Sequence, residues 1–258
     1  FTQNRARAAA VEDAAARLPR EGARAILTNS GNANALTGAR GREAVRALVR
    51  GAAAALEVSE DSVLTASTGV IGVPLPHKKI LAALPQLRER ADDDPAAAAE
   101  AILTTDTVSK IAARQVQIGG QAVRVLGFAK GGGMIHPQLA TMLAYVLTDA
   151  AVAAPVLQRL LERAAARSFN RLTVDGDMST NDAAFALASG LAGNARIERA
   201  EDEAAQLLGR AIEEVCVDLT RAVAADGEGA TKRLEVRVSG DLSDEAADDL
   251  ARAVALSP

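Results

Sequence analysis

Apolar side chains return every fourth residue between Arg42 and Leu56, at Ala44, Leu48, Ala52 and Leu56, which places one stripe along an α-helix. The same period recurs in Val156 to Arg167 and in Glu203 to Val223, where Leu208, Ile212, Val215, Cys216 and Leu219 share a face. Lys78 to Arg90 and Ala96 to Leu103 also read as helices, divided by the acidic breaker Asp92-Asp93-Asp94-Pro95. The alanine runs Ala52 to Ala55 and Ala96 to Ala99 act as helix filler. Shorter apolar segments predict strands: Arg24 to Leu27, Val63 to Ala66, and the uninterrupted run Met142 to Leu147, which reads as buried. Arg114 to Ile118 and Ala122 to Phe128, joined across Gly119-Gly120, form the clearest hairpin. Leu234 to Val238 alternates as one further strand. Ser243 then serves as N-cap to a last helix, Asp244 to Ala255. Its apolar face, Ala246, Ala247, Leu250, Ala251, Val254 and Ala255, calls for a partner surface. Strands and helices alternate throughout, without internal repeats or low-complexity linkers, as in an α/β protein.

Composition narrows the function class. At 258 residues the chain has ample material for a core, as one large domain or two smaller ones. Aromatics make up only 2%, so that core is expected to be Ala, Val, Leu and Ile. A net charge of -4 with no basic stripe argues against nucleic acid as the main partner. The lone Cys216 excludes an internal disulfide, and with only His77 and His136 there is no metal-ligand cluster. No apolar run approaches the ~20 residues of a membrane helix, and no signal peptide is visible.

The chemistry concentrates in Lys130 to Leu143, K-G-G-G-M-I-H-P-Q-L-A-T-M-L. Three glycines admit backbone conformations that a Cβ forbids and let other groups approach closely. Thr141 stands at the mouth of a core strand, the rigid mounting that a nucleophile needs. The bland alternative is a glycine-rich turn before a strand. A phosphate-cradling loop is a third reading, but Lys130 precedes the glycines, so the G-K-[S/T] ending of a P-loop is lacking.

Companion motifs decide among these. Thr65-Ala66-Ser67-Thr68-Gly69-Val70-Ile71-Gly72 lies upstream and Glu228-Gly229-Ala230-Thr231-Lys232 downstream. With Thr28-Asn29-Ser30-Gly31-Asn32-Ala33-Asn34-Ala35 and Ser168-Phe169-Asn170-Arg171 running into Asp175-Gly176-Asp177, the chain resembles the ornithine acetyltransferases of arginine biosynthesis. These enzymes are also called glutamate N-acetyltransferases. The resemblance implies a four-layer αββα sandwich of the ornithine acetyltransferase and DmpA-like type, one catalytic domain over 1–258 that is incomplete at both ends. It implies cytoplasmic transfer of an acetyl group from N-acetyl-L-ornithine to L-glutamate, through an acetyl-threonine intermediate. No cofactor is implied, although acetyl-CoA is a possible second acetyl donor.

A threonine hydroxyl is a poor nucleophile near neutral pH and needs an adjacent base. Cutting the chain immediately before it supplies one, because an α-amine with a pKa of about 7.7–8.0 is neutral often enough to take the proton. The resemblance implies this solution at the Ala140–Thr141 bond, giving segments 1–140 and 141–258 that stay together as a heterodimer and assemble into a heterotetramer. It also implies Thr68 and Gly69 as the oxyanion pair. Substrate would be held by Lys130, Glu228, Thr141 and one of Thr104 and Thr105. The family's C-terminal continuation would add an asparagine and a threonine to the site. An N-terminal-threonine amidohydrolase or aminopeptidase and a catalytically silent truncated relative are the alternatives. His136 beside Thr141 is given a minor place as a base, and His77 reads as a surface residue. Asp175, Asp177 and Asp182 resemble a metal cluster but read better as hydrogen-bonded loop carboxylates.

Overall fold

The computed structural model describes residues 1–135 and 142–257. Helix α1 (Ala9–Arg17) precedes β1 (Ala25–Asn29), α2 (Gly38–Leu56), β2 (Val63–Ser67), α3 (His77–Glu89) and α4 (Pro95–Ala101). A hairpin of β3 (Lys110–Ile118) and β4 (Gln121–Lys130) follows, then β5 (Leu143–Thr148), α5 (Ala154–Arg167), β6 (Ala183–Ala188), α6 (Glu203–Ala225) and α7 (Asp244–Ala255). Strands β1 and β2 pair in parallel, with Ala25 opposite Val63 and Asn29 opposite Ser67. The larger sheet runs β3-β4-β5-β6, antiparallel except for the β5–β6 pair.

The alternation of side chains on each strand stacks these elements into four layers. On the smaller sheet, Ala25, Leu27 and Val63 face Val45, Val49, Ala52 and Ala53 of α2. Their neighbours Ile26, Leu64 and Ala66 face Phe128, Leu143, Tyr145, Ala183 and Phe185 of the larger sheet. The far side of that sheet, including Val123, Val125, Ala129, Ala144 and Val146, packs on Leu157, Leu160 and Leu161 of α5 and Leu208, Ile212, Val215 and Leu219 of α6. The αββα sandwich expected from the resemblance is therefore what the chain forms. Gly127 permits a close approach of α6, since a Cβ there would stand 2.5 Å from Val215 Cγ1.

The few aromatics matter more than their number suggests. Phe128 stacks on Tyr145 at 4.9 Å, Tyr145 on Phe185 at 5.7 Å, and Phe1 meets Phe185 edge-on at 5.6 Å. The expectation of a purely aliphatic core is corrected here, because the inter-sheet layer is built around these rings. Such pairs contribute about 0.5–1.5 kcal/mol beyond the area they bury. The Tyr145 hydroxyl bonds Thr28 Oγ1 at 2.7 Å, tying one sheet to the other.

Other differences from the sequence reading are local. The hairpin turn is as expected, with φ of 58° at Gly119 and 82° at Gly120, the double positive φ of a type I′ turn. Ser243 caps α7, its hydroxyl accepting from the Ala246 amide. The strand expected over Leu234 to Val238 is absent: the segment pairs with no described strand, and Leu234 is 79% exposed. The apolar face of α7 stays uncovered among the described residues, with Leu250 and Val254 exposed. Among the described residues no helix is long and apolar enough to cross a membrane.

Candidate active site

Strand β2 delivers Thr68 to the interior, where it is buried. Its backbone N–H donates to the Asn29 carbonyl at 3.0 Å, so the hydroxyl is the group left to offer a proton. Gly69 follows with φ of 129°, and a Cβ there would stand 2.2 Å from the Gly31 carbonyl carbon. Only glycine fits against that peptide. The asparagine-rich loop is a scaffold for this turn. Asn29 Nδ2 donates to the Asn32 carbonyl at 2.9 Å, and Asn29 Oδ1 accepts from Ser67 Oγ at 2.8 Å. Asn181 Nδ2 bridges the Ala33 and Ser67 carbonyls at 2.7 Å each.

Lys130 ends β4 opposite Leu143, at the entry of β5, with its side chain 2% exposed. Its Nζ donates to Thr104 Oγ1 at 2.7 Å and to Thr68 Oγ1 at 3.4 Å. An ammonium carries three donors and no acceptor. Both hydroxyls therefore accept from Lys130, and their own protons must point elsewhere. Among the described residues no acceptor takes the Thr68 proton. A buried cation behind an outward-turned hydroxyl suits charge that develops on an acyl oxygen. Burial pushes the Lys130 pKa below the usual lysine value; Asp106 opposes that shift and Lys110 adds to it.

Behind Lys130 lies a chain of buried charges. Asp106 Oδ1 accepts from the Gly131 amide at 2.6 Å and from Lys110 Nζ at 2.8 Å. Its Oδ2 accepts from the Thr104 amide at 3.3 Å and stands 3.8 Å from Lys130 Nζ. Burial alone would raise the Asp106 pKa, but the bonds from Lys110 and Gly131 outweigh it and hold the carboxyl below the usual range. Lys110 reaches on to Asp226 Oδ2 at 2.6 Å. Asp226 also accepts from the Thr107 amide and hydroxyl; against burial, Lys110 and Thr107 bring its pKa down to about 2. Unpaired charges at such depth cost several kcal/mol, so this pairing is obligatory.

Glu228 lies two residues beyond Asp226. Its N–H donates to the Gly132 carbonyl at 2.7 Å, and its exposed carboxylate lies against Gly133. Thr105 does not reach Lys130; its hydroxyl faces Gly132, where a Cβ would come within 3.0 Å. The structure thus brings Thr68, Thr104, Lys130 and Glu228 to one place and leaves Thr105 beside it. Ala140, Thr141 and His136 lie outside the described residues.

Sequence reasoning gave no role to three groups, Asp106, Lys110 and Asp226, and read Asp182 only as a hydrogen-bonded loop carboxylate. Lys110 sits four residues after Asp106, a spacing that invites pairing, but nothing local marks Asp226, 116 residues away, as its second partner. Asp182 is fully buried, with Oδ1 accepting from the Met142 amide at 3.0 Å and Oδ2 without a partner among the described residues. Burial pushes its pKa up to about 8. Asp175 instead accepts from the Met134 and Ile135 amides, so Asp175 and Asp182 serve separate hydrogen bonds. Among the described residues no group of three or more His, Cys, Asp or Glu is placed to hold a metal ion.

A sequence model of the ArgJ family matches residues 1–258. The arginine biosynthesis bifunctional protein ArgJ of Gloeobacter violaceus is 52% identical over 234 residues, 90% of this chain and 58% of that protein. Its namesake in Thermosynechococcus vestitus is 49% identical over 259 residues, 100% of this chain and 62% of that protein. The chain therefore spans about six-tenths of the length of these relatives. Among solved structures, the ArgJ protein of Bacillus halodurans is 38% identical, with a TM-score of 0.48 over 54% of this chain and 73% of that one. The ornithine acetyltransferase of Mycobacterium tuberculosis, complexed with ornithine, is 34% identical, with a TM-score of 0.46 over 54% of this chain and 75% of that one. Matched from its first residue to its last, the chain belongs to the ArgJ family.

Proposed function

We propose that this chain carries the acetyl-transfer site of a glutamate N-acetyltransferase, moving an acetyl group from N-acetyl-L-ornithine to L-glutamate. In this reading the Thr141 hydroxyl adds to the acetyl carbonyl while its proton passes to the Thr141 α-amine. Collapse breaks the amide C–N bond, the proton goes to the departing ornithine amine, and the acetyl group remains as an ester on Thr141. The amine of glutamate then attacks the ester, forms the new amide and releases the threonine hydroxyl. Thr68 and Gly69 stabilise the oxyanion, Lys130 with Thr104 receives the α-carboxylate, Thr105 borders that contact, and Glu228 attracts the side-chain ammonium of ornithine.

The observation that carries this reading is the convergence of Thr68, Thr104, Lys130 and Glu228 at the end of β4, from segments more than 100 residues apart in part. The curated relatives are named for arginine biosynthesis and as bifunctional, in keeping with this reading, which takes acetyl-CoA as a second acetyl donor and has no resident cofactor. The same reading has residues 1–258 in one catalytic domain. Cleavage between Ala140 and Thr141 gives segments 1–140 and 141–258, which pair as a heterodimer and assemble into a heterotetramer in the cytoplasm.

Intact mass measurement of the full-length protein after incubation with N-acetylornithine tests cleavage and acylation together. Two fragments are expected, the second beginning at Thr141 and gaining one acetyl group that glutamate removes. Thr141→Ala should remain whole and inactive. A wild-type protein that is fully active while uncut would overturn the α-amine mechanism.

A further inference from the structure

We propose that Asp106 is a positioning residue: its buried carboxylate keeps Lys130 charged and aims the ammonium between Thr104 and Thr68. This rests on the reading of Lys130 as the group that receives the substrate carboxylate. Three contacts place Asp106 at the hub of that corner. Its oxygens bond the amide of Gly131, the residue after Lys130, and the amide of Thr104, whose hydroxyl Lys130 holds. They also bond Lys110, so one side chain fixes β3, β4 and the turn after α4 relative to each other.

The charge argument is independent of those bonds. Lys110 and Lys130 are both buried cations, and Asp106 and Asp226 are the buried anions beside them. Lys110 has two carboxylates in direct contact, whereas Lys130 has, among the described residues, only Asp106 within 4.0 Å. The other charged groups that act on Lys130 are Lys110 on β3, Asp182 ahead of β6 and Glu228 after α6, all more remote. Without Asp106, Lys110 would keep Asp226, while Lys130 would keep only the repulsion of Lys110 and the distant carboxylates. An opposite charge at this range typically moves a pKa by about 1–3 units. Buried lysine readily gives up its proton when such support is lost. A neutral Lys130 would still fill its space but would no longer attract a carboxylate.

The test compares full-length wild type with Asp106→Asn, measuring KM for N-acetylornithine and kcat from about pH 7 to about pH 10, where lysines titrate. The rise in KM that marks loss of the Lys130 charge should begin at least about one pH unit lower in Asp106→Asn. A merely structural role would raise KM equally at every pH, and that result would overturn the proposal. A second measurement needs neither the variant nor substrate: the Nζ signal of Lys130 in wild type with 15N-labelled lysine, assigned by its loss in Lys130→Met. The ammonium signal should persist through neutral pH, and a Lys130 already neutral at neutral pH would sink the idea. Absence of acetyl transfer by the wild type would refute the proposed function instead, and the Lys130 titration would still decide the role of Asp106.

Discussion

Replacing Thr68 by valine removes one hydroxyl and keeps the shape of the side chain. The Thr68 amide is already bonded to Asn29, so only the hydroxyl proton is available to a developing oxyanion. Losing a single such donor costs about 3–4 kcal/mol of transition-state stabilisation, or about 100- to 1000-fold in turnover. The cost to the fold is far smaller. Lys130 gives up an acceptor at 3.4 Å and keeps Thr104 at 2.7 Å. A net loss of about 1 kcal/mol or less follows, which lowers the melting temperature by at most about 4 °C. Steady-state kinetics of the full-length protein, with the melting curve alongside, separate the two effects. Both kcat and kcat/KM should fall together while KM stays within about threefold. Thr68→Ser should recover much of the activity. A rise in KM at unchanged kcat, or a serine variant as slow as valine, would refute the assignment of the hydroxyl.

Lys110→Met should cost about 3–5 kcal/mol in urea unfolding, because it leaves Asp106 and Asp226 without their shared cation. Asp226 has a folded pKa of about 2, below its unfolded value of about 3.9. Its contribution is therefore complete above about pH 4 and lost as pH falls toward 2, and this acid slope should shrink in the variant. Equal slopes in the two proteins would contradict the pairing. Glu228→Gln, at an exposed position, should change stability by less than about 0.5 kcal/mol. It should weaken N-acetylornithine more than glutamate, and equal changes in the two KM values would count against an ammonium-binding role.

Legibility in the sequence followed how local each determinant is. The Gly119-Gly120 hairpin was readable because two residues alone set its turn, and the α6 stripe because one helix repeats it six times over. Strand β6, A-A-F-A-L-A, was not, because its alanines favour a helix in isolation and only pairing with β5 makes it a strand. Leu234 to Val238 failed in the opposite sense: alternation defines two faces but supplies no neighbour to bond with. In the site, Thr68, Thr104, Lys130 and Glu228 stood out through their motifs. Asp106, Lys110 and Asp226 did not, since a buried ion pair is a property of two distant positions and leaves no period in either.

The pairing of β4 with β5 has a further consequence. Residues 130 and 143 face each other across that pair, so the bond between residues 140 and 141 belongs to the connection between its two strands. Six register pairs from Val125–Thr148 to Lys130–Leu143 span that divide, and α6 covers β3 and β4 from the other side of it. The ion pair of Lys110 with Asp226 crosses it as well. A nick there would leave two polypeptides but one cooperative body: the first piece keeps the cluster between α2 and the smaller sheet, while the inter-sheet layer and the layer under α5 and α6 draw on both pieces. Each fragment would behave as the other's missing half: separable in denaturant, inseparable by dilution, and restored only when both are refolded together.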